Sequence, residues 1–97
     1  MIDKNELEEI NKILKSSIVE GCEYIDYNNS IHAIINDVYD IKVHEKALRT
    51  KGKCILYVYY GNHNSFEFAF DNYEITDYSV TFYNKNGEFD FLIKYNI

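Results

Sequence analysis

The sequence predicts an α+β protein: an antiparallel meander sheet of four to five strands with two helices packed on one face, in a single domain spanning residues 1–97. Three observations lead there. Between Cys54 and Ile97 apolar side chains stand at alternate positions (Phe66, Phe68, Phe70; Tyr78, Val80, Phe82; Phe89, Phe91, Ile93, Tyr95), which is the period of a half-buried strand. Ahead of that tract the apolar residues recur at three-to-four spacing, the period of a helix. Hydrophobic residues make up 46% of the 97 positions and aromatics 16%, enough to fill one core and far from the composition of disordered chains.

The first helix is expected over residues 3–19. Asp3 can cap it, Glu6 stands three residues later as the reciprocal partner, and Leu7, Ile10, Ile13, Leu14 and Ile18 form its apolar stripe, with Gly21 as the stop. Glu8, Glu9, Lys12 and Lys15 make its solvated face. A second helix is expected over about residues 30–50. Asn28, Asn29 and Ser30 are candidate caps, Ile31, Ile34, Ile35 and Val38 the stripe, and Gly52 the end. An alternative over part of this span is a short strand, because Ile41 and Val43 alternate. Lys42, Lys46, Arg49, Lys51 and Lys53 cluster here against Glu45 alone. Cations near a helix C-terminus complement its dipole, so this run is read as structural rather than as a phosphate site.

The sheet follows as two hairpins, residues 54–70 and 78–97. Asn86-Gly87 signals a two-residue turn with positive φ at both positions, and pairing Lys85 with Glu88 sets Phe82 opposite Phe91, Val80 opposite Ile93 and Tyr78 opposite Tyr95. On the reverse side Tyr83 meets Asp90 and Thr81 meets Leu92. Closing the other hairpin through Gly61-Asn62-His63-Asn64 sets Tyr59 opposite Phe66, Tyr57 opposite Phe68 and Ile55 opposite Phe70. As an edge, Cys54–Tyr60 would lack charge and proline, a composition that natural edges avoid. It is therefore expected to be covered, by Glu23–Tyr27 as a fifth strand, by a second copy in a homodimer paired through strand 54–60, or by a partner.

Chemistry is sparsely marked. There is no glycine-rich phosphate loop and no nucleophile with a base at a known spacing. His44-Glu45 begins like a zinc-protease helix, but Leu48 occupies the place of the second ligand, and His32 and His63 share no ligand spacing with it. Neither a metal nor a cofactor is expected. Carboxylate pairs such as Glu67 with Asp90, both on the reverse face of the expected meander, carry no sign of a cleft that would tune them for proton transfer. The chain reads as a non-enzyme. Cys22 and Cys54 fit two buried, reduced thiols.

Charge is the stronger clue. The formal net charge is −6, with 16 acids against 10 Lys and Arg, which disfavours direct contact with nucleic acid or anionic membranes. No apolar run reaches bilayer length and the N-terminus opens on Asp3, Lys4, Glu6, Glu8 and Glu9, so the expected location is cytoplasmic. From residue 61 onward Glu67, Asp71, Glu74, Asp77, Glu88 and Asp90 outnumber Lys85 and Lys94, with Tyr73 and Tyr83 among them. Tyrosine is enriched where proteins meet, and carboxylates speed encounter with a basic partner. The partner-binding residues expected on that ground are Glu67, Asp71, Glu74, Asp77, Tyr83 and Asp90. The function expected is binding and inhibition of a basic, nucleic-acid-processing enzyme, the class that includes toxin immunity proteins and phage inhibitors of host defence nucleases. The alternatives are a homo-oligomeric structural domain and a small enzyme or ligand-binding domain with a pocket between helix and sheet.

Overall fold

The computed structural model describes residues 2–45 and 53–96. Helix α1 spans Lys4–Ser16, and eight strands follow: β1 Ile18–Asp26, β2 Ile31–Ile35, β3 Val38–His44, β4 Cys54–Tyr60, β5 Asn64–Phe70, β6 Asn72–Ile75, β7 Ser79–Tyr83 and β8 Phe89–Asn96. They form two antiparallel sheets, a five-stranded one ordered β2-β1-β8-β7-β6 and a three-stranded one ordered β3-β4-β5. The fold is α+β and antiparallel, but with two sheets and a single helix among the described residues.

The helix begins as its sequence dictates. The Glu6 amide donates to Asp3 Oδ1 at 2.8 Å and the Asp3 amide to Glu6 Oε2 at 3.2 Å, a reciprocal cap. Leu7, Ile10 and Leu14 are buried. The helix stops at Ser16, before Gly21. Ile18 instead opens β1, where it is exposed, and Gly21 flanks an irregularity at Glu20 in the pairing with β8.

The second helix, expected over about residues 30–50, is absent from 30–45; residues 46–52 of that span lie outside the described residues. Its place is taken by β2 and by β3, so the alternating Ile41 and Val43 report the local structure correctly. Six β-branched residues between Ile31 and Val43 favour a pleated backbone. The polar run before β2 makes a hairpin turn rather than a helix cap. Asp26 Oδ1 accepts from the Asn28 and Asn29 amides at 3.0 and 3.1 Å, its Oδ2 accepts from Asn29 Nδ2 at 2.9 Å, and Ser30 takes φ 54. Asp37, with φ 58, turns β2 into β3, and its carbonyl accepts the Gly61 amide at 2.9 Å.

The hairpin β7–β8 has the expected register, with Val80 opposite Ile93, Phe82 opposite Phe91 and Tyr83 opposite Asp90; beyond the ladder the Tyr95 amide donates to the Tyr78 carbonyl. Its turn differs, since only Gly87 takes positive φ and its amide closes on the Asn84 carbonyl. The β4–β5 hairpin is shifted by one residue from the expectation. Tyr60 pairs with Asn64, so Cys54, Leu56 and Val58 stand opposite Phe70, Phe68 and Phe66. Gly61 (φ 60) and His63 (φ 68) allow a three-residue loop, and a one-residue slip turns every side chain to the other face.

The core lies between the sheets. Phe66 packs on Phe91 at 5.3 Å between ring centroids, Phe68 on Phe89 at 5.9 Å and Phe70 on Phe82 at 4.7 Å, so the β5 phenyls bridge to β7 and β8 of the other sheet. The helix closes one side. Asn11 Nδ2 donates to the Val43 carbonyl and Asn11 Oδ1 accepts the Val43 amide, both at 3.0 Å, so a side chain satisfies backbone groups on the β3 edge. β4 lies between β3 and β5, so strand 54–60 is interior. Glu23–Tyr27 does not cover it; that segment belongs to the other sheet. The homodimer expected through 54–60 has no free backbone edge there. Among the described residues β2 is an outer strand without Asp, Glu, Lys or Arg, and there Ile31 is 48% and Ile34 65% exposed.

Candidate functional site

Strand alternation and register sort the outward side chains into two faces. On the five-stranded sheet the inner set includes Cys22, Tyr24, Phe91, Ile93, Phe82 and Val80. The residues between them point outward, and the pairing aligns them in rows: Ile34, Glu23, Leu92, Thr81 and Glu74 in one, His32, Ile25, Asp90, Tyr83 and Asn72 in the next. This face mixes the acids Glu23, Glu74 and Asp90 with apolar and neutral side chains, and Lys94 on β8 shares it.

Three of the expected partner-binding residues share it: Glu74, Tyr83 and Asp90. Asp90 Oδ2 accepts the Tyr27 hydroxyl at 2.6 Å, and this hydrogen bond pushes the phenol pKa up. Asp71, on the link from β5 to β6, accepts the Lys85 amide at 2.8 Å and thereby holds the β7–β8 turn. Asp77 is exposed in the β6–β7 turn. Asp71, Glu74, Asp77 and Asp90 form no ion pair with a lysine among the described residues. Glu23 differs: Lys94 Nζ lies 3.3 Å from Oε1 and His32 Nε2 3.2 Å from Oε2, and these two hold its carboxyl below the usual range.

Glu67 is not part of this face. It lies on β5, opposite Tyr57, in the other sheet, so Glu67 and Asp90 do not form the same-face carboxylate pair expected from a single meander. The reason is the handover at Asp71, where the chain leaves one sheet and enters the other.

The outer face of the three-stranded sheet carries a group that the sequence reading turned inward. Tyr57 and Tyr59 point outward and continue a row of rings: His44 to Tyr57 at 5.1 Å, Tyr57 to Tyr59 at 6.5 Å and Tyr59 to Tyr39 at 6.4 Å between centroids. Lys42 Nζ lies 6.0 Å from the Tyr59 ring and 3.5 Å from Asp40 Oδ2. The signal was present as Tyr57-Val58-Tyr59-Tyr60, but both parities of that strand are apolar.

Cys22 and Cys54 are buried, and burial pushes the Cys22 thiol up to about 12. Among the described residues no group of three or more His, Cys, Asp or Glu is arranged to hold a metal, and no helix is long and apolar enough to cross a membrane. No protein family, curated protein or solved structure matches the chain.

Proposed function

We propose that the chain is a non-catalytic inhibitor that docks the acidic outer face of its five-stranded sheet onto a basic, nucleic-acid-processing enzyme in the cytoplasm, as a toxin immunity protein or a phage anti-defence inhibitor does. The observation that carries this reading is the open face itself. The three-stranded sheet and α1 pack on the inner side, while Glu74 is exposed and Tyr83 and Asp90 are half-buried on the outer one. Carboxylates standing in rows on a rigid sheet present negative charge where a nuclease expects phosphate. Leu92, Ile25 and Tyr83 between them supply contact area that excludes water. Such a surface accelerates association and weakens with salt.

Affinity capture from the native host tests the reading. The expected catch is a basic enzyme that stops cutting nucleic acid when the chain is added, and whose retention falls as ionic strength rises from about 0.05 to about 0.3 M. Retention indifferent to salt, or a bound enzyme that keeps its activity, contradicts it.

The β2 edge favours a second reading, a homo-oligomer, because its exposed isoleucines and unpaired backbone suit strand addition. Sedimentation at increasing concentration separates the two. A mass that stays monomeric removes the oligomer.

A further inference from the structure

The β7–β8 turn and the free edge of β5 enclose a second feature, at the end of the sandwich where Asp26 pairs with Phe89. A cleft there is lined by Tyr24, Phe66, Phe89, Glu67, Glu88 and Asn84. Its walls are rings. Tyr24 stacks on Phe89 at 6.0 Å and 18°, and packs against Phe66 at 5.1 Å, with Phe68 behind them at 6.1 Å from Tyr24. Asn84 is 3% exposed, and its Oδ1 has no hydrogen-bond partner among the described residues. A buried carbonyl oxygen without a donor costs free energy unless something supplies one. Two carboxylates, Glu67 and Glu88, line the cleft against one cation, Lys53, among the described lining residues; Glu67 and Lys53 have other interactions, so Glu88 is the carboxylate offered to a cation.

We propose that this cleft receives the guanidinium of an arginine side chain presented by the basic partner. The inference rests on the docking reading above and adds the side chain that anchors it. A guanidinium is planar and weakly hydrated, so it stacks on tyrosine and phenylalanine faces, and it carries five donors for the Asn84 carbonyl and the Glu88 carboxylate together. An ammonium ion lacks the flat face. The position suits an anchor beside the acidic face, since Glu88, Phe89 and Asp90 follow one another along β8 and its approach.

The test uses Nα-acetyl-L-argininamide as the probe, titrated into the isotope-labelled full chain and followed by NMR. The expected result is saturable shifts at the Asn84 side-chain amide and at Phe89 and Tyr24, with affinity reduced at least about fivefold by Glu88→Gln, which removes one charge-assisted partner. Asn84→Ala is expected to abolish the shifts, and Glu88→Gln keeps the test decisive if that buried replacement does not fold. Nα-acetyl-citrullinamide, the same shape without charge, is expected to leave the cleft undisturbed, and the acetylated lysine amide to bind more weakly. Equal binding of the citrulline or lysine probe, shifts centred on Glu74 and Asp77 instead, or indifference to Glu88→Gln overturns the assignment. The two readings fail separately. A captured enzyme held as tightly by Glu88→Gln as by the natural chain removes the anchor and leaves the acidic face standing. Probe binding in the cleft without inhibition of any basic enzyme does the reverse.

Discussion

The two sheets bury the same kind of surface and expose different kinds. Inward, each presents phenylalanine, isoleucine and valine to a shared core. Outward, the five-stranded sheet shows Glu23, Glu74 and Asp90 interleaved with Leu92, Ile25 and Tyr83, with Lys94 beside Glu23, whereas the three-stranded sheet shows Tyr39, Tyr57, Tyr59 and His44 with Lys42, Asp40 and Glu67. Their edges differ too. Asn11 closes the β3 edge, and among the described residues β2 is left open. The inner faces therefore account for stability and the outer faces for whatever distinguishes this chain from any other sandwich of its size.

The largest effect should come from breaking what the sheets share. Phe91→Ala removes a fully buried ring that touches Phe66 and Phe68 across the core, and it should lower stability by about 3 to 5 kcal/mol in a urea titration. A loss confined to one sheet, with the other still protected from amide exchange, would mean that the sheets do not share a core.

Asn11→Ala acts on the edge difference. It leaves the Val43 amide and carbonyl without their partner, which should cost about 1 to 3 kcal/mol, and hydrogen exchange should rise along β3 while β2 is unchanged. Smaller still is the ring row. A double-mutant cycle on Tyr57→Ala and Tyr59→Ala should give a coupling of about 0.5 to 1.5 kcal/mol, with no such coupling between Leu92 and Glu74 on the acidic face.

Acid sharpens the comparison from the other side. Hydrogen bonds from Lys94 and then His32 lower the Glu23 pKa, and those from Asn29 and Asn28 lower that of Asp26; both groups lie on β1, in the five-stranded sheet. A depressed carboxyl stabilises the fold above its unfolded pKa, about 4, and that contribution is lost as pH falls through the lower folded value. The thermal midpoint should therefore decline as the medium becomes acid, and Asn29→Ala should flatten the decline. An unchanged profile in that variant would remove Asp26 from the account.

How much of this could be read from the sequence depended on whether one period excluded the other. The capping box of Asp3 with Glu6 and the β7–β8 register were legible, because each rests on a local pattern with one solution. Residues 31–44 were not. Isoleucines at positions 31, 34, 35 and 38's valine satisfy helical spacing, while their β-branched side chains favour a strand, and the Asp26 turn that decides the matter is formed by a residue outside the segment. The β4–β5 register failed for a related reason: Cys54, Leu56 and Val58 are as apolar as Ile55, Tyr57 and Tyr59, so alternation cannot choose a face, and the left-handed His63 that shortens the loop leaves no mark of its own. The acidic residues were visible as a run. Which sheet each would join was not, and so Glu67 was grouped with acids that it does not accompany.

The central claim is that the acidic face, rather than overall charge, captures the partner. Stopped-flow association with the captured enzyme tests it, comparing the natural chain with Glu74→Lys and Asp90→Lys combined, and with Glu9→Lys and Glu45→Lys combined as a control of equal net charge. The account predicts that the first variant associates at least about tenfold more slowly and loses its salt dependence, while the control keeps most of both. Equal slowing by the two variants, or none by either, contradicts it.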